Sequence, residues 1–182
     1  VPGEITAVAI AGQGHQAALM STLDEAGAIC LVDQMPGAIA RNIETARRPL
    51  AAVYRNDDRD LVYLDAAARE VVLLRNIEGA RDREVLLSSG HGLQAPVAMS
   101  ITGSTLWVAD IRAEDSISSG YLVGFDLAHN RLVTERGLPA VPSRLENLGR
   151  PGLFALNALE SGPVYLLSSF DSSIAFVPSI VR

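Results

Sequence analysis

The chain has 182 residues, 48% of them hydrophobic and 20% charged, with a net charge of −6. This composition supports a buried core and excludes a disordered chain, and no apolar run reaches the ~18 residues that a membrane-spanning helix needs. The acidic balance repels phosphate backbones, so neither nucleic acid nor membrane insertion is expected.

Read in chain order, the sequence repeats. Pro2, Pro49, Pro96 and Pro142 recur every 46 or 47 residues. Each opens a similar series of short strands. After Pro2 come EITAVAIA, the turn GQGH and QAALMS. After Pro49 come LAAVYR, NDDR and DLVYLD. After Pro96 come VAMSI, TGS and TLWVAD, and after Pro142 come SRLENL, GRP and GLFALN. A third strand follows in each unit (GAICLVD, REVVLLR, GYLVGFD, PVYLLSS), then a fourth (AIARNIE, REVLLSS, RLVTERG, SIAFVPS). The third is almost continuously apolar, as a strand buried on both faces should be. The fourth mixes charge with apolar residues, as an exposed edge strand should. Asp57-Asp58, Thr102-Gly103-Ser104, His129-Asn130 and Asp171-Ser172-Ser173 supply turns.

Four strands in a unit of about 40–50 residues predict a β-propeller blade. One twisted four-stranded sheet cannot bury both faces alone, whereas stacked blades cover one another. The expectation is therefore an all-β chain of four antiparallel four-stranded blades, about 1–48, 49–95, 96–141 and 142–182. They form a single propeller domain, either closed or part of a larger ring. The sequence opens at Val1 rather than Met, which suggests a removed leader or a piece of a longer chain with further blades upstream. An open arc would leave apolar faces on its end blades and so favour self-association.

The segment PVAMSI-TGS-TLWVAD followed by GYLVGFD resembles an NHL-type blade. A proline leads the inner strand, the second strand closes on Val-Ala-Asp, and the third closes on an aromatic residue and Asp. The resemblance is clearest over residues 49–136, and it extends to propellers of secreted bacterial proteins. It implies a propeller fold and a secreted or periplasmic location, and it leaves function open, because such folds host both binding and catalysis.

A rival pattern occupies the first unit. AVAIAGQGHQAALMSTLDEAGAICLVD places Gly12, Gly14 and Ala17 in a dinucleotide-fingerprint spacing, with Asp33 where a ribose-binding acid would stand. The helix it requires, about Gln16 to Asp24, is short for a crossover, and no second β-α-β unit follows. The propeller register accounts for the same residues, so Gly12 and Gly14 are expected in a turn and no nucleotide cofactor is expected.

Few residues suggest chemistry. His15, His91 and His129 each sit in a turn, without metal-ligand spacing. His91, in SSGHGLQ, lies between two blades, where ring surfaces commonly bind ligands. Asp33, Asp65, Asp110 and Asp126 recur at strand ends. Either they ring a cation, or they accept backbone N–H bonds as turn caps, and recurrence at one structural position favours the caps. Glu146, Asn147 and Asn157 fall on the inner strands of the fourth blade. Gluconolactonase-like propellers hold a divalent cation with Glu, Asn and Asp, but the local signatures of that family are missing, so no catalytic, cofactor or metal residue is assigned. No nucleophile elbow is present, and Ser88, Ser89, Ser118, Ser119, Ser168 and Ser169 sit at turns or strand ends.

All fifteen basic residues are arginine, scattered along the chain rather than gathered at one anion site. Arg47-Arg48, before the second blade, reads as a solvated link rather than a clamp for an acidic ligand. Cys30, alone in an apolar run, reads as a small core residue. The aromatics mostly lie in apolar strand runs, with Trp107 as the leading core anchor between blades. The function expected is a non-enzymatic binding or scaffolding module that presents a face to a protein or small ligand. The alternative is a metal-assisted hydrolase or lactonase.

Overall fold

The computed structural model describes residues 3–33, 35, 37, 40–115, 117–148, 153–157, 164–168 and 174–177. Sixteen strands form among them, in four separate antiparallel sheets of four. Blade 1 holds β1 (Glu4–Ile10), β2 (Gln16–Leu23), β3 (Ala26–Asp33) and β4 (Arg41–Ala46). Blade 2 holds β5 (Pro49–Arg55), β6 (Asp60–Asp65), β7 (Glu70–Arg75) and β8 (Asp82–Leu87). Blade 3 holds β9 (Ala95–Thr102), β10 (Thr105–Glu114), β11 (Ile117–Asp126) and β12 (Arg131–Gly137). Blade 4 holds β13 (Arg144–Asn147), β14 (Leu153–Asn157), β15 (Val164–Ser168) and β16 (Ile174–Val177). Each sheet runs in chain order from inner to outer strand. The chain divides into two compact units, Val1–Leu93 with blades 1 and 2, and Gln94–Arg182 with blades 3 and 4.

The expected strands and turns appear. Gly12 and Gly14 lie in the turn between β1 and β2, and the segment a dinucleotide fold would make helical is strand β2. In the NDDR turn, Asn56, Asp57 and Asp58 all take positive φ of 53°, 52° and 66°. Asn and Asp are the non-glycine residues that tolerate that region best. One expectation needs correction. Val108-Ala109-Asp110 does not close its strand. β10 continues to Glu114 and β11 begins at Ile117, and all ten β10 residues pair with β11. The hairpin of blade 3 is therefore longer than the repeat predicts. The turn at Gly149-Arg150-Pro151, the turn at Asp171-Ser172-Ser173, Ser169 and Phe170 lie outside the described residues.

Within unit 1, Ala18, Met20, Ile29 and Leu31 of blade 1 pack on Leu61, Tyr63, Val72 and Leu74 of blade 2. Within unit 2, Trp107, Ala109 and Leu122 of blade 3 pack on Leu145, Phe154, Leu156 and Leu167 of blade 4. Trp107 meets Phe154 edge to face, with ring centroids 5.6 Å apart. Glycine makes room at both seams. A Cβ on Gly27 would come within 2.6 Å of Pro49 Cδ, and one on Gly120 within 2.4 Å of the Ala140 carbonyl oxygen and 2.7 Å of Pro142 Cδ. In each unit a third-strand glycine thus receives the buried proline that leads the next blade.

Candidate functional site

The strand-end aspartates do structural work. Asp65 is buried and accepts the backbone N–H groups of Arg47 (2.7 Å), Arg48 (2.9 Å) and Ala68 (3.1 Å). Asp110 is fully buried and accepts from the N–H groups of Gln94 and Ala95 and from Arg112 Nε. Each carboxylate therefore fastens the link that enters its own blade to that blade's second strand, Asp65 at the end of β6 and Asp110 within β10. Such groups must be paired when buried, and here the partners are two or three amides. Arg112 extends the Asp110 cluster. It forms a forked pair with Glu135 at 2.7 and 2.9 Å and lies 4.4 Å over the Tyr121 ring centroid. The fork holds Glu135 below its ordinary carboxylate range and raises Arg112 above its own. Asp126 caps the β11–β12 turn through Ala128 N–H and the His129 ring, and the His129 hydrogen bond lowers its pKa. In blade 1 the position corresponding to Asp65 and Asp110 is Ser21, whose hydroxyl is buried without a partner among the described residues.

Asp33 joins a different arrangement, at the turn end of unit 1. Gln16, 4% exposed, donates to Asp33 Oδ1 (2.9 Å) and Glu78 Oε1 (2.5 Å), and accepts from the Tyr54 hydroxyl (3.3 Å). Arg41 pairs with the other Glu78 oxygen at 2.8 Å. Burial, reinforced by Asp58, Glu78 and Asp33, pushes the Tyr54 pKa up, so the phenol stays a proton donor. Beside it Asp58 accepts from Gly12 N–H (2.8 Å) and Gln13 N–H (3.2 Å). The Gly12 bond is the main cause of the lowered Asp58 pKa. The first glycine of the apparent dinucleotide fingerprint thus binds a carboxylate of the neighbouring blade, and Gly14 donates to the Ala11 carbonyl within its own turn.

The histidines are exposed, as their turn positions imply. Ser88 and His91 form a capping box around the 3-10 turn Ser89–His91. Ser88 N–H donates to His91 Nδ1 at 3.2 Å, and Ser88 Oγ accepts from Gly90 N–H. Cys30 is buried. Asn147 reaches Thr102 Oγ1 at 3.1 Å on the neighbouring inner strand, Glu146 is exposed, and the Asn157 carbonyl accepts from Ser143. Glu146, Asn147 and Asn157 are therefore not gathered into one set. Among the described residues no group of three or more His, Cys, Asp and Glu side chains is placed to hold a metal.

An open concavity lies at the link end of unit 1. Thr22, Asp24, Glu25, Arg47, Arg48 and Ala67 line an open groove of about 640 Å³. A second groove of about 500 Å³ shares Glu25 and Arg47 and carries Asp65, Glu70 and Arg83. Arg83 pairs with Glu70 at 2.9 Å. The Arg47 and Arg48 side chains are exposed, and neither has an ion-pair partner among the described residues. Their backbone is fixed by Asp65 beneath them. The groove thus sets two guanidiniums on a rigid link beside the carboxylates of Asp24 and Glu25. The adjacent arginines are visible in the sequence. Asp24 and Glu25 are not visible as their neighbours, because it is the β3–β4 pairing, with Gly27 opposite Ala46, that brings the β2–β3 turn beside the link.

Solved structures share this architecture. A chain of the nidogen/laminin complex matches with a TM-score of 0.68 and 14% identity, over 92% of this chain and 60% of that one. The β-propeller domain of Cps50 (Swd1) from Myceliophteria thermophila matches at 0.70 and 13%, over 95% and 57%. The chain has the β-propeller fold. A candidate 6-phosphogluconolactonase from Bacteroides fragilis matches at 0.68 and 10%, over 96% and 53%. The chain therefore spans between half and two thirds of each of these propellers, and at such identities the likeness speaks for the fold alone. No protein-family model and no curated protein matches the sequence. Among the described residues no helix is long and apolar enough to cross a membrane.

Proposed function

We propose that this propeller is a non-enzymatic binding or scaffolding module, and that the link-end groove of unit 1 recognises a polypeptide carrying both charges. The supporting observation is that unengaged guanidiniums at Arg47 and Arg48 line one open groove together with Asp24 and Glu25. Charges of both signs at a surface select a partner by complementarity more than by raw affinity. The Asp65 clamp holds the link in place before binding, which lowers the ordering cost of recognition. The NHL-type pattern over residues 49–136 is compatible with this role. A secreted or periplasmic setting is proposed on the same resemblance.

The test is selection of peptides from a random displayed library on the wild-type chain. Enriched peptides should carry acidic and basic residues together. Their affinity should fall roughly tenfold or more in the Arg47→Ala, Arg48→Ala double variant, and should weaken as salt rises. Peptides that bind the double variant equally well would remove the groove from the proposal. The lactonase alternative has its own readout. A divalent cation that binds only the native state raises the melting temperature, and cation-dependent lactone hydrolysis would replace the binding role with an enzymatic one.

A further inference from the structure

The link-end groove of unit 1 does not stop at Arg47. It shares Glu25 and Arg47 with the second groove, which in turn shares Thr45 and Arg83 with a third, of about 590 Å³. The three make one trench. It follows β4 from the link end to the turn end, and its opposite wall is blade 2, with Leu74 of β7 and Arg81 just before β8. Both ends are tied. Asp65 of β6 holds the Arg47 and Arg48 amides at the link end, and Arg41 of β4 pairs with Glu78 of the β7–β8 turn at the other. The walls are thus held in place before anything binds, which lowers the ordering cost of recognition.

Consecutive β4 residues, Asn42 to Thr45, line the third groove. Side chains alternate between the two faces of a strand, so a run of neighbours borders one concavity along the backbone edge. β4 is outermost in its sheet, and among the described residues no strand pairs with its outer edge. An extended peptide lying there meets backbone donors and acceptors as well as side chains. A bulge at Ile43 interrupts the edge, and Asn42 Oδ1 accepts the Glu44 N–H at 3.1 Å. The backbone ladder is therefore incomplete, and charge must supply part of the hold. The charges are placed for that. Arg83, midway, is paired with Glu70. The unengaged cations stand at the two ends, Arg47 and Arg48 at the link end and Arg81 at the turn end. Arg81 is exposed and has no ion-pair partner among the described residues. From Asn42 to Arg47 a strand rises about 16 Å, so two carboxylates about five residues apart on an extended segment reach both ends.

We propose that this trench seats an extended peptide segment along the outer edge of β4. One acidic residue of the segment meets Arg47 and Arg48, and a second, about five residues away, meets Arg81. This rests on the binding role proposed for the link-end groove and states how the ligand lies in it. Glu25 and Glu44 within the trench repel a uniformly anionic chain, so a polypeptide of mixed charge fits it better than a polyanion.

The test uses linear peptides selected from a random displayed library on the wild-type chain, labelled for fluorescence anisotropy. Enriched sequences should share two acidic positions about five residues apart. Arg81→Ala should raise their dissociation constant about fivefold or more, and Thr45→Arg, which fills the middle of the trench, about tenfold or more. Both positions are exposed, so the melting temperature should not move. Should Thr45→Arg fail to fold, Asn42→Arg, also at an exposed position, replaces it. Arg81→Glu should bind a peptide whose second acidic residue is changed to lysine about as tightly as the wild-type chain binds the original. Bound peptide should slow amide exchange along Asn42 to Thr45, and Arg131→Ala, on β12 of blade 3, should leave affinity unchanged. Binding that falls in the Arg47→Ala, Arg48→Ala double variant but ignores Arg81→Ala and Thr45→Arg overturns the trench and leaves the link-end groove standing. Exchange along β4 that does not slow overturns the seating on its edge. Binding that ignores every one of these variants, or a library that yields no peptide, removes the groove as well. Heparin that displaces the peptide at equal molar concentration overturns the polypeptide in favour of a polyanion.

Discussion

In unit 1 the seam between blades is aliphatic around Tyr63, with Tyr54 packed against it. In unit 2 a tryptophan and a phenylalanine meet edge to face. The backbone devices are nevertheless shared. A buried aspartate clamps the entering link in blade 2 and in blade 3, and a third-strand glycine receives the leading proline of the next blade in both units. What the repeat preserves is the geometry of the link, where amides must be satisfied and chains approach closely. Side chains filling the seam vary, because any combination of the right shape and volume buries the same apolar area. The polar periphery diverges most. Unit 1 has the Gln16 network and the arginine groove, and unit 2 has the Asp110–Arg112–Glu135 chain.

The largest expected effect tests the aromatic seam. Trp107 is 7% exposed, packs on Phe154, and lies so close over Gly124 that a Cβ there would approach its ring to 2.8 Å. Trp107→Ala should cost about 4 kcal/mol, as large core truncations do. The corresponding change in the aliphatic seam, Met20→Ala, should cost about 2–3 kcal/mol. Chemical denaturation of both variants checks the difference. Equal losses would mean that the aromatic pair adds nothing beyond its burial.

The shared clamp comes next. Asp110→Ala strands two part-buried amides and one guanidinium around a buried site, and should cost about 3 kcal/mol. Asp65→Ala strands amides only and should cost about 2 kcal/mol. If the two variants melt alike, Arg112 contributes little to the clamp, and the units are more similar than their polar contacts suggest.

These two residues also show what was legible beforehand. Asp65 and Asp110 stand out because a repeat reproduces its scaffolding at fixed intervals, and the same repeat predicts the four four-stranded sheets that form. The extension of β10 and β11 is not legible, since Ile111 to Glu114 lie beyond the repeat and Arg112 to Glu114 pair with Ser119 to Ile117, which lie outside it as well. Arg47-Arg48 was visible as a pair but read as a solvated link. Its role as one side of a groove depends on Asp24 and Glu25, which lie more than twenty residues earlier and reach it through the register of β3 on β4. Gln16 gave no signal, because a buried glutamine beside a turn resembles any polar turn residue until its partners Asp33, Tyr54 and Glu78 converge.

The glycine–proline contact should be smaller in effect and equal in the two units. Gly27→Ala and Gly120→Ala place a Cβ against a proline ring and nearby backbone oxygens, none of which is the far end of a flexible chain. Each should cost about 2 kcal/mol, typical of overpacking. Melting temperatures of the two variants provide the comparison. A clear inequality would show that one seam yields more readily than the other. Smaller again, Gln16→Leu should cost about 1 kcal/mol through lost hydrogen bonds, and the loss should appear as faster amide exchange in the β1–β2 turn.

The smallest effect concerns acid, and it separates two ways of holding a carboxylate. Asp58 is held by the backbone amides of Gly12 and Gln13, whereas Glu135 is held by the guanidinium of Arg112. Both have folded-state pKa values below the ordinary 3.8 and 4.5. Between the ordinary value and the lowered one, the unfolded carboxyl carries a proton and the folded carboxylate does not. Stability from each group is therefore fully present at neutral pH and is lost as pH falls through the folded-state value. Unfolding measured from pH 7 to pH 2 should steepen below about pH 4.5, and Asp58→Asn and Glu135→Gln should each flatten that limb. Salt distinguishes them. The arginine pair is an attraction between two charges near the surface and weakens as salt screens it. Amide donors carry no net charge, so the Asp58 contribution should persist at high salt. A Glu135 contribution as indifferent to salt as that of Asp58 would mean that the fork acts through hydrogen-bond geometry rather than charge, and the polar peripheries of the two units would then differ in residue identity but not in physics.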